Sequence, residues 1–401
     1  MQSLSKIRLT LRINFIQEMN NCRICNSHLG KPIYSSKGKS ITSVRGICDC
    51  DLIAYYCEKC DLLQKPPHKN ISEYYDNEYR ISMDSPEHDQ LYHGGKDSEE
   101  VFRTTHQASI ILKHVNIPTN GRILDYGGGK GATLGKISEV RKDIKPYIFD
   151  VSEDYKISWD KFLGKEQQAT YKIPDNWAGR FDLVMMNFVL EHVETPLQLL
   201  TTLSGLVAEG GMLLLIVPNV ISNPGDMIAV DHINHFSRSS ISYVLDSAGL
   251  ELLECREDLF RGALVCIAKK SDNILKKYSD VLTGINLGIN KVVDYWMIYD
   301  QCIAASIENF RYTPSAIYGA GVYGSYLALK LAGICDIRCF LDNSVYLQNK
   351  NHLGYPVVSP ENINNKINIV YSGLNPYIAR DIISAHKFNS VQEIIYFDME
   401  K

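Results

Sequence analysis

The chain of 401 residues is 45% hydrophobic and 22% charged, an ordinary globular balance that argues against extensive disorder and suggests two or three domains at about 150 residues each. With 42 basic and 46 acidic side chains its formal net charge is −4, so no general basic field exists for nucleic acid, although a local patch stays open. No apolar run reaches the ~18 residues that span a bilayer, and the first eighteen residues lack a continuous apolar core and a small-residue cleavage site. A cytoplasmic chain that is neither secreted nor membrane-bound is expected.

Residues 1–20 read as an N-terminal extension. Met19 stands directly before Asn20-Asn21-Cys22, so residues 1–18 fit a loosely attached leader from an upstream start codon. The competing reading is a packed segment, because Ile7, Leu9, Leu11, Ile13 and Phe15 alternate with polar residues as in a half-buried strand. Residues 21–98 are rich in Cys, Tyr, Asp and Lys. Residues 99–270 alternate strand-like runs with amphipathic helical stretches, the pattern of a parallel α/β sheet. Residues 271–312 look helical and connecting, and 313–401 begin a second strand, glycine turn and helix.

Six of the eleven cysteines lie between Cys22 and Cys60. Clustered pairs in a chain without a signal peptide read as metal ligands in preference to disulfides. Cys22-Arg-Ile-Cys25 and Cys57-Glu-Lys-Cys60 are two Cys-x2-Cys knuckles, which together supply four thiolates to a tetrahedral Zn²⁺. Cys48 and Cys50 compete for that role but make a poorer knuckle. Such a closed site is structural and does no chemistry. Cys255, Cys266, Cys302, Cys335 and Cys339 read as small buried hydrophobes.

Ile123-Leu124 runs into Asp125-Tyr-Gly127-Gly-Gly129-Lys-Gly131, a loop whose glycines let backbone N–H groups meet a ligand at a helix start. The next strand ends at Asp150, where a carboxylate can accept both hydroxyls of a ribose. Phe181–Val184 forms a fourth strand, followed by Asn187 and Glu191-His192; Asn187 and Glu191 lie toward the reacting end or are plain loop and helix-capping residues. The fifth strand leads to Val217-Pro218-Asn219 after Glu209-Gly210-Gly211, and two further strands, Leu252–Cys255 and Leu264–Ala268, close the stretch.

This order resembles a class I S-adenosylmethionine (SAM) methyltransferase over about 170 residues, with NAD the alternative for the glycine loop alone. The resemblance assigns Asp125, Gly127, Gly129 and Gly131 to the methionine end of SAM, Asp150 to its ribose, and Asn187 nearby. After the fifth strand comes Asp226-Met-Ile-Ala-Val-Asp231-His232-Ile-Asn-His235. Loops at the carboxyl ends of parallel strands face the ligand crevice, and histidine takes a proton near neutrality. His232 and His235 are therefore candidate bases, and Asp231 either orients the neighbouring imidazole or binds substrate. Farther on, Gly319-Ala-Gly321-Val-Tyr-Gly324 with Asp342 matches a dinucleotide fingerprint, but the same turn serves strand–helix packing without any cofactor.

Taken whole, the chain resembles the zinc-containing nucleotide-diphosphate deoxysugar C-methyltransferases from about Cys22 onward. The implied architecture is α/β: an N-terminal four-cysteine zinc-binding module, a central Rossmann-like SAM-dependent methyltransferase domain and a C-terminal Rossmann-like domain. Cys22, Cys25, Cys57 and Cys60 match the family's zinc ligands. Tyr75, Tyr79 and Ser82, with Glu191, are the implied contacts to a sugar-nucleotide substrate, and Asp231-His232 matches an acidic-His pair whose histidine is the base. Ala229 stands where the family has an aromatic residue. The implied reaction is methyl transfer to a carbon of a ketodeoxysugar through an enolate. The alternatives are an O-methyltransferase acting on a sugar nucleotide or polysaccharide, and an NAD-linked sugar-nucleotide enzyme or binding module.

Overall fold

The computed structural model describes residues 19–67, 91–95, 98–271 and 286–399. The leader 1–18 and the segment holding Tyr75, Tyr79 and Ser82 lie outside the described residues. No helix among those described is long and apolar enough to cross a membrane.

The N-terminal stretch builds an antiparallel sheet from β1 (Tyr34–Ser36), β2 (Leu52–Cys57) and β3 (Leu62–Gln64). Its fourth strand comes from far along the chain. Asn234–His235 pairs antiparallel with β3, Asn234 opposite Gln64 and His235 opposite Leu63. The segment expected to be a free loop is thus laid into the sheet of the cysteine module. The Lys65 N–H donates to the Ile233 carbonyl at 3.0 Å, and the Val230 N–H to Ile41 at 2.9 Å.

The central sheet has seven strands: β4 (Arg122–Tyr126), β5 (Lys145–Asp150), β6 (Gln168–Thr170), β7 (Phe181–Asn187), β8 (Val207–Pro218), β9 (Leu250–Arg256) and β10 (Ala263–Lys270). Their order is β6-β5-β4-β7-β8-β10-β9, the first five parallel and the last two joined antiparallel. Both faces are covered, so β7 reads as a nearly unbroken apolar run. Leu183 and Met185 pack with α1 (Arg103–His114) and α2 (Ala132–Val140), while Val184 and Met186 pack with α3 (Pro196–Leu206), α4 (Arg238–Ser247) and Cys22, Cys57 and Cys60. The alternation of a strand thereby decides which face holds the cysteine module. β8 begins at Val207, ahead of the expected glycine pair, because Val207 already pairs with Phe181 before a register shift brings Met212 opposite Leu183. Gly211 fits there because a Cβ would meet the Phe181 carbonyl oxygen at 2.7 Å. Strand order reverses between β4 and β7, and their carboxyl ends open the crevice where ligands bind in such sheets.

The connector contains α5 (Leu287–Phe310), buried along Ile289, Val292, Val293, Trp296, Tyr299 and Ile303 at helical spacing. Six strands follow: β11 (Ser315–Tyr318), β12 (Ile337–Leu341), β13 (Asn351–His352), β14 (Tyr355–Val358), β15 (Ile369–Ser372) and β16 (Glu393–Ile395), in the order β13-β14-β12-β11-β15-β16. Between β11 and β12 lies α6 (Val322–Leu331). Trp296 donates its indole N–H to the Pro224 carbonyl at 2.9 Å, and the Gly225 N–H donates to the Tyr323 hydroxyl at 2.6 Å. The histidine segment is therefore held from three sides.

Candidate functional site

The glycine loop follows β4 and turns into α2. Gly127, Gly129 and Gly131 have φ of 70°, 51° and 74°, a left-handed course that a side chain adopts only at a cost. The Gly129 N–H donates to Asp150 Oδ2 at 2.9 Å, and the Ser152 N–H to Oδ1 at 3.1 Å. Trp159 anchors the same glycine by donating to its carbonyl at 2.6 Å. A Cβ on Gly129 would meet nothing within 4 Å, so the loop borders open space. Burial, with Asp150 beside it, pushes the Asp125 carboxyl up to about 7, and burial also raises Asp150. Asn187 ends β7 with its Oδ1 buried and unpartnered. An open cradle at a helix start, a carboxylate on the next strand and an orphaned amide oxygen fit a nucleoside carrying an amino-acid end.

In the segment after β8, one carboxylate organises two imidazoles. Nδ1 of His232 donates to Asp226 Oδ1 at 2.5 Å, and Nδ1 of His235 donates to Oδ2 at 2.6 Å. A carboxylate only accepts, so both rings carry their proton on Nδ1 when neutral. Burial would lower His232, but Asp226, Asp231 and Glu191 outweigh it and push the ring up to about 9. Burial and the charge of Lys65 bring His235 down to about 4. Burial works against ionisation of Asp226 too, yet the two imidazoles hold it well below the usual carboxylate range.

Asp231 faces elsewhere. Its carboxylate accepts from the Ser43 N–H at 2.6 Å and from the Ser43 hydroxyl at 2.5 Å, and its carbonyl accepts from His192 Nδ1 at 3.0 Å. The His192 and His232 rings meet edge to face, 4.7 Å apart. Glu191 is fully buried with neither carboxylate oxygen hydrogen-bonded. Burial, partly opposed by His232, raises it to about 7. The helix after it starts at Pro196 with Thr195 in the N-cap position, so Glu191 is not a capping residue. Lys65, entirely buried and lowered to about 7 by that burial, donates to the carbonyls of Met227 and Ala229 and ties the segment down.

Cys22, Cys25, Cys57 and Cys60 converge, with Cys22–Cys60 and Cys25–Cys57 sulfur pairs each 3.4 Å apart and all four atoms within 4.8 Å. A tetrahedron with 2.3 Å metal–sulfur bonds has edges of about 3.8 Å, so this cluster is shaped for one zinc. Cys48 and Cys50 are instead joined to each other as a disulfide, which removes them as ligands and corrects the expectation that none of the clustered cysteines pairs this way.

Residues 96–255 match the family described as a methyltransferase domain. The chain therefore contains a SAM-dependent methyltransferase domain. No curated protein matches it. Among solved structures it is similar to a chain of the Haloferax volcanii complex between the Trm112 methyltransferase activator and a methyltransferase, at 15% identity and a TM-score of 0.36, covering 42% of this chain and 91% of that one. It is also similar to the mitomycin 7-O-methyltransferase MmcR (12%, TM-score 0.36, 42% of this chain and 54% of that one). A SAM-dependent methyltransferase from Aquifex aeolicus gives 22%, a TM-score of 0.33, and coverage of 40% and 88%.

The domain thus brings Asp125, Gly129 and Asp150 together at the glycine loop, and Glu191, His192 and His232 within reach of one another. His235 lies behind His232, fully buried. Reading the sequence alone missed Asp226, Ser43, His192 and Lys65. Asp226 stood in the quoted segment, six residues before His232; Ser43 lies 188 residues from its partner and carries no signal. In the C-terminal unit, Asp342 accepts from the Ala320 and Ser344 N–H groups, each at 2.8 Å. A Cβ on Gly324 would fall 1.8 Å from the Gly319 carbonyl oxygen. Those glycines serve close strand–helix packing.

Proposed function

We propose that this enzyme methylates a carbon of a nucleotide-linked ketodeoxysugar, with His232 as the base. The observation that carries the reading is the Asp226–His232 pair, in the segment that follows the carboxyl end of β8. Asp125, Gly127, Gly129, Gly131 and Asn187 would hold the amino-acid end of SAM and Asp150 its ribose hydroxyls. SAM, when bound, supplies an electrophilic methyl group on a sulfonium. Asp226 fixes the His232 ring so that the nitrogen away from it carries the lone pair once the ring is neutral. His232 then takes the acidic proton beside the sugar ketone, and the resulting enolate carbon is the nucleophile. Asp226 stabilises the imidazolium that forms, as a buried carboxylate beside a base does.

The four-cysteine cluster is read as a structural zinc site, and the six-stranded C-terminal sheet as a wall framing the sugar nucleotide. Turnover of a panel of nucleotide-linked ketosugars with SAM, followed by NMR of the product, tests the reading. A new carbon–methyl bond, with deuterium exchange beside the ketone, is the expected result. An oxygen-linked methyl without exchange would instead establish O-methylation of the sugar.

A further inference from the structure

We infer that Glu191, His192 and His232 form a second metal site, taking a borderline divalent cation such as Zn²⁺. The ligating atoms of the three residues lie within 4.8 Å of one another. A cation with bonds of about 2.1 Å draws tetrahedral ligands to about 3.4 Å apart, so modest side-chain rotation closes the set.

Two observations point to a cation. Glu191 is fully buried with both oxygens lacking a hydrogen-bond donor, a state that is costly for the ionised carboxylate unless a proton or a cation answers it. Both histidines also have the second contact that metal-bound imidazoles make. His232 Nδ1 donates to the Asp226 carboxylate at 2.5 Å, and His192 Nδ1 donates to the Asp231 carbonyl at 3.0 Å. A carboxylate or carbonyl on one ring nitrogen fixes the tautomer and turns the other nitrogen toward the ion. Two imidazoles and one carboxylate suit Zn²⁺, Fe²⁺ or Co²⁺ more than Mg²⁺ or Ca²⁺, and three protein ligands leave a coordination position open.

The site differs from the cysteine cluster in donor set: nitrogen and oxygen against four sulfurs. Its consequence rests on the base reading of His232, although the site itself does not. A cation on the far nitrogen of His232 occupies the lone pair that would take the proton, so metal binding and proton abstraction exclude each other. Zinc is then an inhibitor at this centre, while it stabilises the cysteine module.

Cobalt titration of the full chain, its cysteine site already filled with Zn²⁺, tests the proposal. A second equivalent should bind with the weak d–d absorption of nitrogen–oxygen ligation and no thiolate charge-transfer band. Glu191→Gln should weaken it at least ~10-fold with cysteine-bound zinc retained, and His192→Gln should do the same if the first variant folds poorly. Asp226→Asn should weaken it about 10–100-fold through the His232 ring. No equivalent beyond the cysteine site up to about millimolar Co²⁺, or binding unchanged in both ligand variants, overturns the site. Deuterium exchange of the ketosugar is measured separately. Exchange that is lost with Co²⁺ bound and restored on its removal is expected. Absence of exchange with this site empty and the cysteine site filled would overturn the base reading and leave the metal site standing.

Discussion

Asp226 meets His232 at 2.5 Å, and this contact across six residues, not the adjoining Asp231, fixes the ring. The same carboxylate spends its other oxygen on His235, which is wholly buried. Asp226 therefore sets both the tautomer and the charge of the candidate base.

That arrangement dictates a pH profile. Neutral His232 is the form that abstracts a proton, so kcat/KM should rise with pH toward a plateau above about 9, the value at which Asp226, Asp231 and Glu191 hold the ring against burial. Asp226→Asn removes the largest of those charges, so the rising limb should move to lower pH while the plateau falls. An amide oxygen also leaves one of the two imidazoles without its acceptor. An unchanged limb in this variant would show that Asp226 does not govern the base.

His232→Gln should cut deuterium exchange beside the ketone by about 10²–10⁴-fold, the usual contribution of a positioned base, with SAM binding kept. His235→Gln should cost less in exchange and more in stability, because its ring lies behind the crevice, wedged against Asp226. Equal losses of exchange in the two variants would count against this division of labour.

Elemental analysis of protein purified without added metal should find one zinc held by the four cysteines. Cys57→Ser should lower the melting temperature by at least ~5 °C, because it opens a closed coordination shell. Cys266→Ser should do less, and it should leave zinc content unchanged because Cys266 belongs to the central sheet. Thermal unfolding and metal content together check this.

Gly129→Ala points a Cβ into the open space that the glycine loop borders, at a φ of 51°. SAM affinity by calorimetry should fall ~10-fold or more, about 1.4 kcal/mol. Binding that matches the unaltered protein would move the SAM site away from this loop.

Gly324→Ala should destabilise the C-terminal unit by about 1–3 kcal/mol, since its Cβ falls on the Gly319 carbonyl. Added NAD should leave the unfolding temperature of the wild-type protein unchanged. A clear rise would make that glycine turn a dinucleotide site after all.

The central sheet was readable because its strands are buried on both faces and so spell apolar runs, as Phe181–Val184 does, separated by glycine turns whose φ no other residue adopts cheaply. The cysteine cluster was readable because tetrahedral ligation imposes short spacings within each knuckle. Side-chain partners were not. Asp231 looked like the orienting acid because it adjoins His232, yet the turn at 224–228 folds Asp226 back onto both histidines while Asp231 reaches Ser43. A contact set by the shape of a loop, or between turns 188 residues apart, leaves no periodicity to read.

The pairing of Asn234–His235 with Leu62–Gln64 also bears on how the molecule is made. During synthesis the first three strands of the N-terminal sheet emerge early, but the strand that completes it follows only after most of the central sheet has been translated. Contacts of such sequence separation form late and slow folding. The thiols can gather a zinc ion early, whereas the Asp226–His232 pair takes shape only when the nascent chain returns to the cysteine module. Metal capture would then precede assembly of the reactive centre, and a chain truncated before residue 234 would hold zinc with nothing to catalyse.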